Sequence, residues 1–309
     1  MIKLVKIVFG VGLCLIIFFQ VEKSISKITD FNELQIQPFY LFISILLMPL
    51  NWSLEAVKWK LILKPQAHIS FKKSLMSIFS GVFVGMFTPA RVGEYGGRMI
   101  PIHENLRLPS MAATFYGSLA QNSIHVLGGI GLGGLFIMRL IPNLSREIPV
   151  FPILSLLFVL VLVLYYLFPF VWVKLLPFIQ KYTRFSWLKN FFFLRHITIL
   201  LASLILTLSA LRYGIYFMQY LFILKSFNIP VPMGGLSPGI ASIFLLQSWL
   251  PLPPVLNFLG RGEISILVWE QIGIAAPIAL SAAVLLWFIN LVIPAIAGYI
   301  LVVMVKVKT

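Results

Sequence analysis

Two charged, glycine-broken stretches hold the residues of this chain that could do chemistry. The first, Thr88-Pro-Ala-Arg-Val-Gly-Glu-Tyr-Gly-Gly-Arg98, sets Arg91, Glu94 and Arg98 among Pro89, Gly93 and Gly97 where an apolar run should have continued. The second, Gly260-Arg-Gly-Glu263, places Arg261 and Glu263 beside Gly260 and Gly262 after the proline-rich approach Pro251-Leu-Pro-Pro254. Guanidinium groups present a planar fork of donors matched to phosphate oxygens, and helix ends freed by Pro and Gly add backbone N–H groups for an anion. Glu94 and Glu263 can orient an arginine by pairing with it, or meet a cationic headgroup or a proton. The chemistry is anion binding, with the two stretches as halves of one site.

Further polar residues stand where apolar ones are expected. Arg212, flanked by Tyr213 and Tyr216, sits near the middle of an apolar run over 197–224, where an arginine costs several kcal/mol unless it faces a polar interior. Ser118, Gln121, Asn122, Ser123 and His125 form a polar patch in another run. Gln121 and Asn122 are read as lining the site, with hydrogen bonding between helices as the equal alternative. His125 is read as a hydrogen-bonded packing residue. Glu55, between Trp52 and Trp59, is read as a headgroup contact at the membrane interface. For the two motifs the competing view is a set of buried ion pairs that fixes the packing of broken helices; two matched copies argue for a site.

These residues need a scaffold, and the composition dictates its kind. With 60% hydrophobic and 11% charged residues over 309, a water-soluble core is too small to hide the apolar surface. Runs of ~20 apolar residues match a bilayer core of ~30 Å, and a helix satisfies its own backbone there. The fold class is an all-α polytopic membrane protein, a single integral membrane domain over 1–309. About six full spans are expected: an uncleaved one within 1–30, then 39–57, 109–138, 150–171, 197–224 and 277–303. The density of Gly and Pro over 72–107 and 236–263 predicts two re-entrant hairpins, since unwound backbone is tolerated at membrane depth only where protein or a polar cavity surrounds it. Residues 264–276 are read as interfacial.

The net charge of +15 does not point to nucleic acid, because the basic residues sit at the ends of apolar runs. Lys58, Lys60, Lys64, Lys72 and Lys73 mark one cytoplasmic loop, and Lys174, Lys181, Arg184, Lys189 and Arg195 another. Both termini are then cytoplasmic. The order span, hairpin, span occurs over 39–138 and again over 197–303 with opposite orientation, an inverted repeat of the kind that builds a midplane transport site. The lone Cys14 allows no internal disulfide, no cysteine cluster suggests a metal, no nucleotide signature appears, and no cofactor is expected.

Trp59-Lys60, the Pro-x-Arg-x-Gly-Glu run from Pro89 to Glu94 with Arg98 after it, and the Gly-Arg-Gly-Glu of 260–263 resemble the lysylphosphatidylglycerol synthase transmembrane family, also described as flippase-like integral membrane proteins. The second motif departs from the more Gly-rich approach of many relatives, and Gln121 and Asn122 replace charged residues. In two-part relatives this region is joined to a soluble aminoacyltransferase domain. The chain ends at Thr309 after its last span, so no aminoacylation is expected of it. The resemblance implies translocation of a lipid or lipid-linked headgroup, anionic or polyprenyl-linked, in the inner membrane of a prokaryote.

The leading reading is therefore a lipid flippase in which Arg91, Arg98 and Arg261 hold a phosphate, Glu94 and Glu263 tune the site and Arg212 adds charge. One alternative is an intramembrane hydrolase, since Glu94 to Arg98 reads Glu-x-x-x-Arg and resembles part of the motif of CAAX-type proteases. A small-solute transporter of the same architecture is the other.

Overall fold

The computed structural model describes residues 36–134, 136, 150–182, 194, 196–229, 232–248, 253–255 and 258–304. The expected first span, Arg139, Arg146, Arg184, Lys189 and Arg195 lie outside the described residues. Among the described residues every regular element is helical. In chain order these are α1 (Pro38–Leu63), α2 (Phe71–Gly85), α3 (Gly93–Gly97), α4 (Arg107–Gly128), α5 (Val150–Tyr182), α6 (Ile199–Ser226), α7 (Met233–Ser248), α8 (Phe258–Glu270), α9 (Ala276–Trp287) and α10 (Ile293–Met304). A π turn, Gly129–Gly133, prolongs α4, and another, Phe288–Val292, joins α9 to α10.

Among the described residues, four segments are long and apolar enough to cross a membrane: α1, the Ile153–Val171 part of α5, α6, and the continuous Ala276–Met304 rod. At 26 residues and ~1.5 Å per residue, α1 alone exceeds a ~30 Å hydrocarbon core. Of the segment expected to span over 109–138, the part up to Gly134 is helical, and its polar residues Ser118, Gln121 and Asn122 line a cavity. Two helices overrun their expected ends. α5 continues to Tyr182, which puts Lys174 and Lys181 on a helix rather than in a loop, and α1 continues to Leu63, which puts Lys58 inside the bundle.

α1 and α6 form the central seam. Gln37 N–H donates to the Ser226 carbonyl at 2.7 Å, Gln219 Nε2 to the Ser44 carbonyl at 2.9 Å, and Lys58 Nζ to Ser209 Oγ at 3.3 Å. Numbers rise along α1 as they fall along α6, so the two run antiparallel. Thr198 opens α6 by accepting from Leu201 N–H at 3.2 Å, and Ser70 opens α2 in the same way toward Lys73.

The helix–break–helix order expected over 72–107 is present as α2 and α3. A Cβ on Gly97 would stand 2.6 Å from the Ser80 carbonyl oxygen and one on Gly85 3.1 Å from Glu94 Cβ, so glycine here allows close helix contact. The break itself falls elsewhere. Ala90 and Arg91, with φ of 49° and 59°, carry the left-handed turn between the helices. The second hairpin pairs α7 with α8, where Gly239 accommodates Trp269. Its far limb runs to Glu270, so the expected segment 264–276 begins within a packed helix; Ser265, Val268 and Trp269 are buried. Gly260 and Gly262 were expected to unwind the chain, but both lie in α8. Gly262 instead lets α9 approach, since a Cβ there would meet Leu280 at 2.5 Å.

The two hairpins have matched surroundings. α10 packs on α2, where a Cβ on Gly298 would collide with the Phe79 carbonyl, and the π turn after α4 packs on α7, with Gly129 against Leu245 and Gly133 against Ser242. Apolar side chains such as Leu156, Leu164 and Phe178 of α5 face outward, while Asn51, Glu55, Lys58, Ser77 and Arg98 are buried. A polar inside and an apolar outside suit a helical bundle solvated by lipid.

Candidate functional site

The site is assembled around one carboxylate. Glu55 on α1, 4% exposed, meets Lys58 Nζ at 2.7 Å, Arg98 Nη2 at 2.9 Å and Arg212 Nη1 at 2.5 Å. Spacing of three residues puts Glu55 and Lys58 on one face of α1, and that face looks toward α4 and α6. Lys58, 1% exposed, also reaches the Gly117 carbonyl at 3.2 Å and Gln121 Oε1 at 3.4 Å. Glu55 is therefore no headgroup contact and Lys58 is no loop cation. The three-residue Glu–Lys spacing is the sequence trace of this pair, but it does not separate a buried pair from one at the headgroups.

Arg98, 3% exposed, bridges Glu55 to Glu94: Nη2 reaches both carboxylates and Nε donates to Glu94 Oε1 at 3.2 Å. Arg91 pairs with Glu94 at 2.8 Å from the other side. Arg212 adds a donation to Asn51 Oδ1 at 3.0 Å and to Gln121 Oε1 at 3.2 Å, with its guanidinium 5.3 Å from the Trp52 ring. Asn51 in turn donates to Asn290 of the π turn at 3.2 Å. The network thus ties α1, α3, α4, α6 and the α9–α10 rod.

Two adjoining cavities open on this network. One, of about 170 Å³, is lined by Arg91, Arg212, Arg261, His125, Tyr213 and Gln247 among others. The other, of about 180 Å³, is lined by Glu55, Arg91, Glu94, Arg98, Asn122 and Arg212 among others. Trp52, Arg91, Gln121 and Arg212 border both. His125 donates from Nδ1 to the Gln121 carbonyl at 2.8 Å and packs edge-on against Tyr213.

The sequence-chosen residues are thereby sorted. Arg91, Glu94, Arg98, Gln121, Asn122, Arg212 and Arg261 come together around the two cavities, so residues from both motifs do meet. Pro89 starts the 3-10 turn that carries Arg91. Glu263 does not join them: it is exposed and lines neither cavity. Two helical residues apart is ~200° around the axis, so Arg261 and Glu263 cannot share a face, whereas Arg91 and Glu94 fall one turn apart.

Buried donors without a protein partner concentrate here. Trp52 Nε1, Arg91 Nε, Arg98 Nη1, Tyr213 OH and Arg261 Nε are all buried and unpartnered, and all belong to cavity-lining residues. Four arginines and two carboxylates line the cavities, so the lining is net positive when all are ionised. Such an arrangement offers hydrogen bonds and charge to an anion.

An α-helical integral membrane protein with a buried arginine-rich site is the class these features define. The chain belongs to the family described as the lysylphosphatidylglycerol synthase TM region, whose model matches residues 3–298. No curated protein and no solved structure matches the chain significantly.

Proposed function

We propose that this protein translocates an anionic or polyprenyl-linked lipid across the cytoplasmic membrane, holding the headgroup phosphate between Arg91, Arg98, Arg212 and Arg261. The observation that carries this reading is the set of unpartnered donors around two net-positive cavities in a lipid-facing bundle. Membership of a lipid-related family supports it. We read the protein as moving its substrate without transforming it, with both carboxylates serving to position arginine and lysine.

The architecture proposed with it has six spans, two re-entrant hairpins and both termini in the cytoplasm, in inverted halves 39–138 and 197–303. Support comes from the matched packing of each hairpin and from a π turn in the last helix of each half. Rocking of such halves about the site would expose the headgroup to each side in turn. The test is native mass spectrometry of the detergent-purified protein. Wild type retains a specific phospholipid or polyprenyl-linked lipid that the Arg91→Ala, Arg261→Ala double variant loses; equal lipid content in both, with folding intact, contradicts the assignment.

A further inference from the structure

We infer that the substrate presents two adjacent anionic centres, as a diphosphate does, one in each cavity, with Arg91 and Arg212 between them; this rests on the proposed lipid site and names its substrate class. The two cavities share Arg91 and Arg212 yet differ in what else they offer. The first holds Arg261 and no carboxylate. Arg261 makes no ion pair among the described residues, and its buried Nε has no partner. The second holds Arg98, 3% exposed, whose Nη1 has no partner although its other nitrogens are engaged by Glu55 and Glu94. Arginines from different hairpins, each with a buried donor that has no protein partner, therefore border both cavities.

A single phosphate seated in one cavity would leave the cationic donor of the other unmatched in a low-dielectric interior, which is costly. Two linked phosphates satisfy both, and the shared arginines can each bridge oxygens of the two groups, as a fork of donors allows. Arg261 is then the residue that separates a diphosphate from a monophosphate. It belongs to the cavity that neither Glu55 nor Glu94 lines.

The experiment measures binding of farnesyl diphosphate, farnesyl monophosphate and inorganic pyrophosphate to the full-length protein in detergent, by calorimetry. Farnesyl diphosphate is expected to bind at least about tenfold more tightly than the monophosphate. Arg261→Gln is expected to weaken farnesyl diphosphate far more than the monophosphate, so that the preference shrinks to within about twofold, and Arg261→Lys to restore part of it. Pyrophosphate alone binding as tightly as farnesyl diphosphate would assign the site to a soluble diphosphate and overturn the lipid reading while keeping the two-centre inference. Equal affinity for the two farnesyl ligands in wild type overturns the two-centre inference and leaves the lipid reading standing. Binding of none of the three overturns both.

Discussion

Glu55 on α1 and Arg212 on α6 meet at 2.5 Å, and this contact fastens the two helices that form the antiparallel seam of the bundle. The same carboxylate also holds Arg98 from the first hairpin and Lys58 from its own helix. One buried anion thus registers three cations, and the cavity walls inherit their geometry from it.

Glu55→Gln should accordingly be among the most damaging single changes. Removing one partner of a buried ionic cluster leaves uncompensated charge and costs about 3–5 kcal/mol. The expected outcome in detergent is a large drop in thermal midpoint or loss of the monodisperse peak on size exclusion. Glu263→Gln, on an exposed carboxylate, should stay within about 0.5 kcal/mol of wild type.

Gly97 and Gly96 are neighbours with opposite demands. A Cβ at Gly97 would press on the Ser80 carbonyl and on Gly81, whereas one at Gly96 meets nothing within 4 Å. Gly97→Ala should destabilise the first hairpin by about 1–3 kcal/mol, the range for overpacking. Gly96→Ala should leave thermal stability nearly unchanged. Comparable midpoints for the two variants would count against the packing of α2 on α3.

Ala90 carries a φ of 49°, a conformation that costs a residue with a Cβ about 1–2 kcal/mol and glycine almost none. Ala90→Gly is therefore expected to hold or raise the midpoint despite the added chain entropy, and Ala90→Val to lower it.

Salt should separate the two kinds of ion pair. Arg107 and Glu104 pair at 3.3 Å with both side chains well exposed, so Glu104→Gln should cost no more than about 1 kcal/mol and less at ~1 M salt. The cost of Arg98→Lys, which loses the fork that spans Glu55 and Glu94, should persist at high salt because those groups are buried. The comparison is made by thermal melts of each variant at low and high salt.

The helical membrane fold was legible in apolar run lengths, and Arg91, Glu94, Arg98, Arg212 and Arg261, singled out from the sequence, gather around the two candidate cavities. Glu55 and Lys58 were not, because charge at the end of an apolar run looks the same whether it meets headgroups or a buried partner. The decision lies in α1 running on to Leu63, which carries Lys58 inward toward α4 and α6. Glu263 was misread because motif symmetry in sequence ignored the helical period: once Gly260 and Gly262 stay helical, Arg261 and Glu263 point to different sides. The break of the first hairpin was placed across Pro89 and the glycines; the left-handed turn falls on Ala90 and Arg91 directly after Pro89, while Gly85 and Gly97 serve close packing.

The most direct test of the central claim is lipid translocation in proteoliposomes. Fluorescent phosphatidylglycerol and, in parallel, a fluorescent polyprenyl diphosphate on the inner leaflet are followed as they become accessible to an external quencher, for wild type, Arg91→Ala and Glu263→Gln. Wild type and Glu263→Gln are expected to speed exposure of at least one of the two lipids well above protein-free vesicles, and folded Arg91→Ala is not. A folded Arg91→Ala variant that translocates at the wild-type rate, or a wild type no faster than empty vesicles for either lipid, would contradict the central claim.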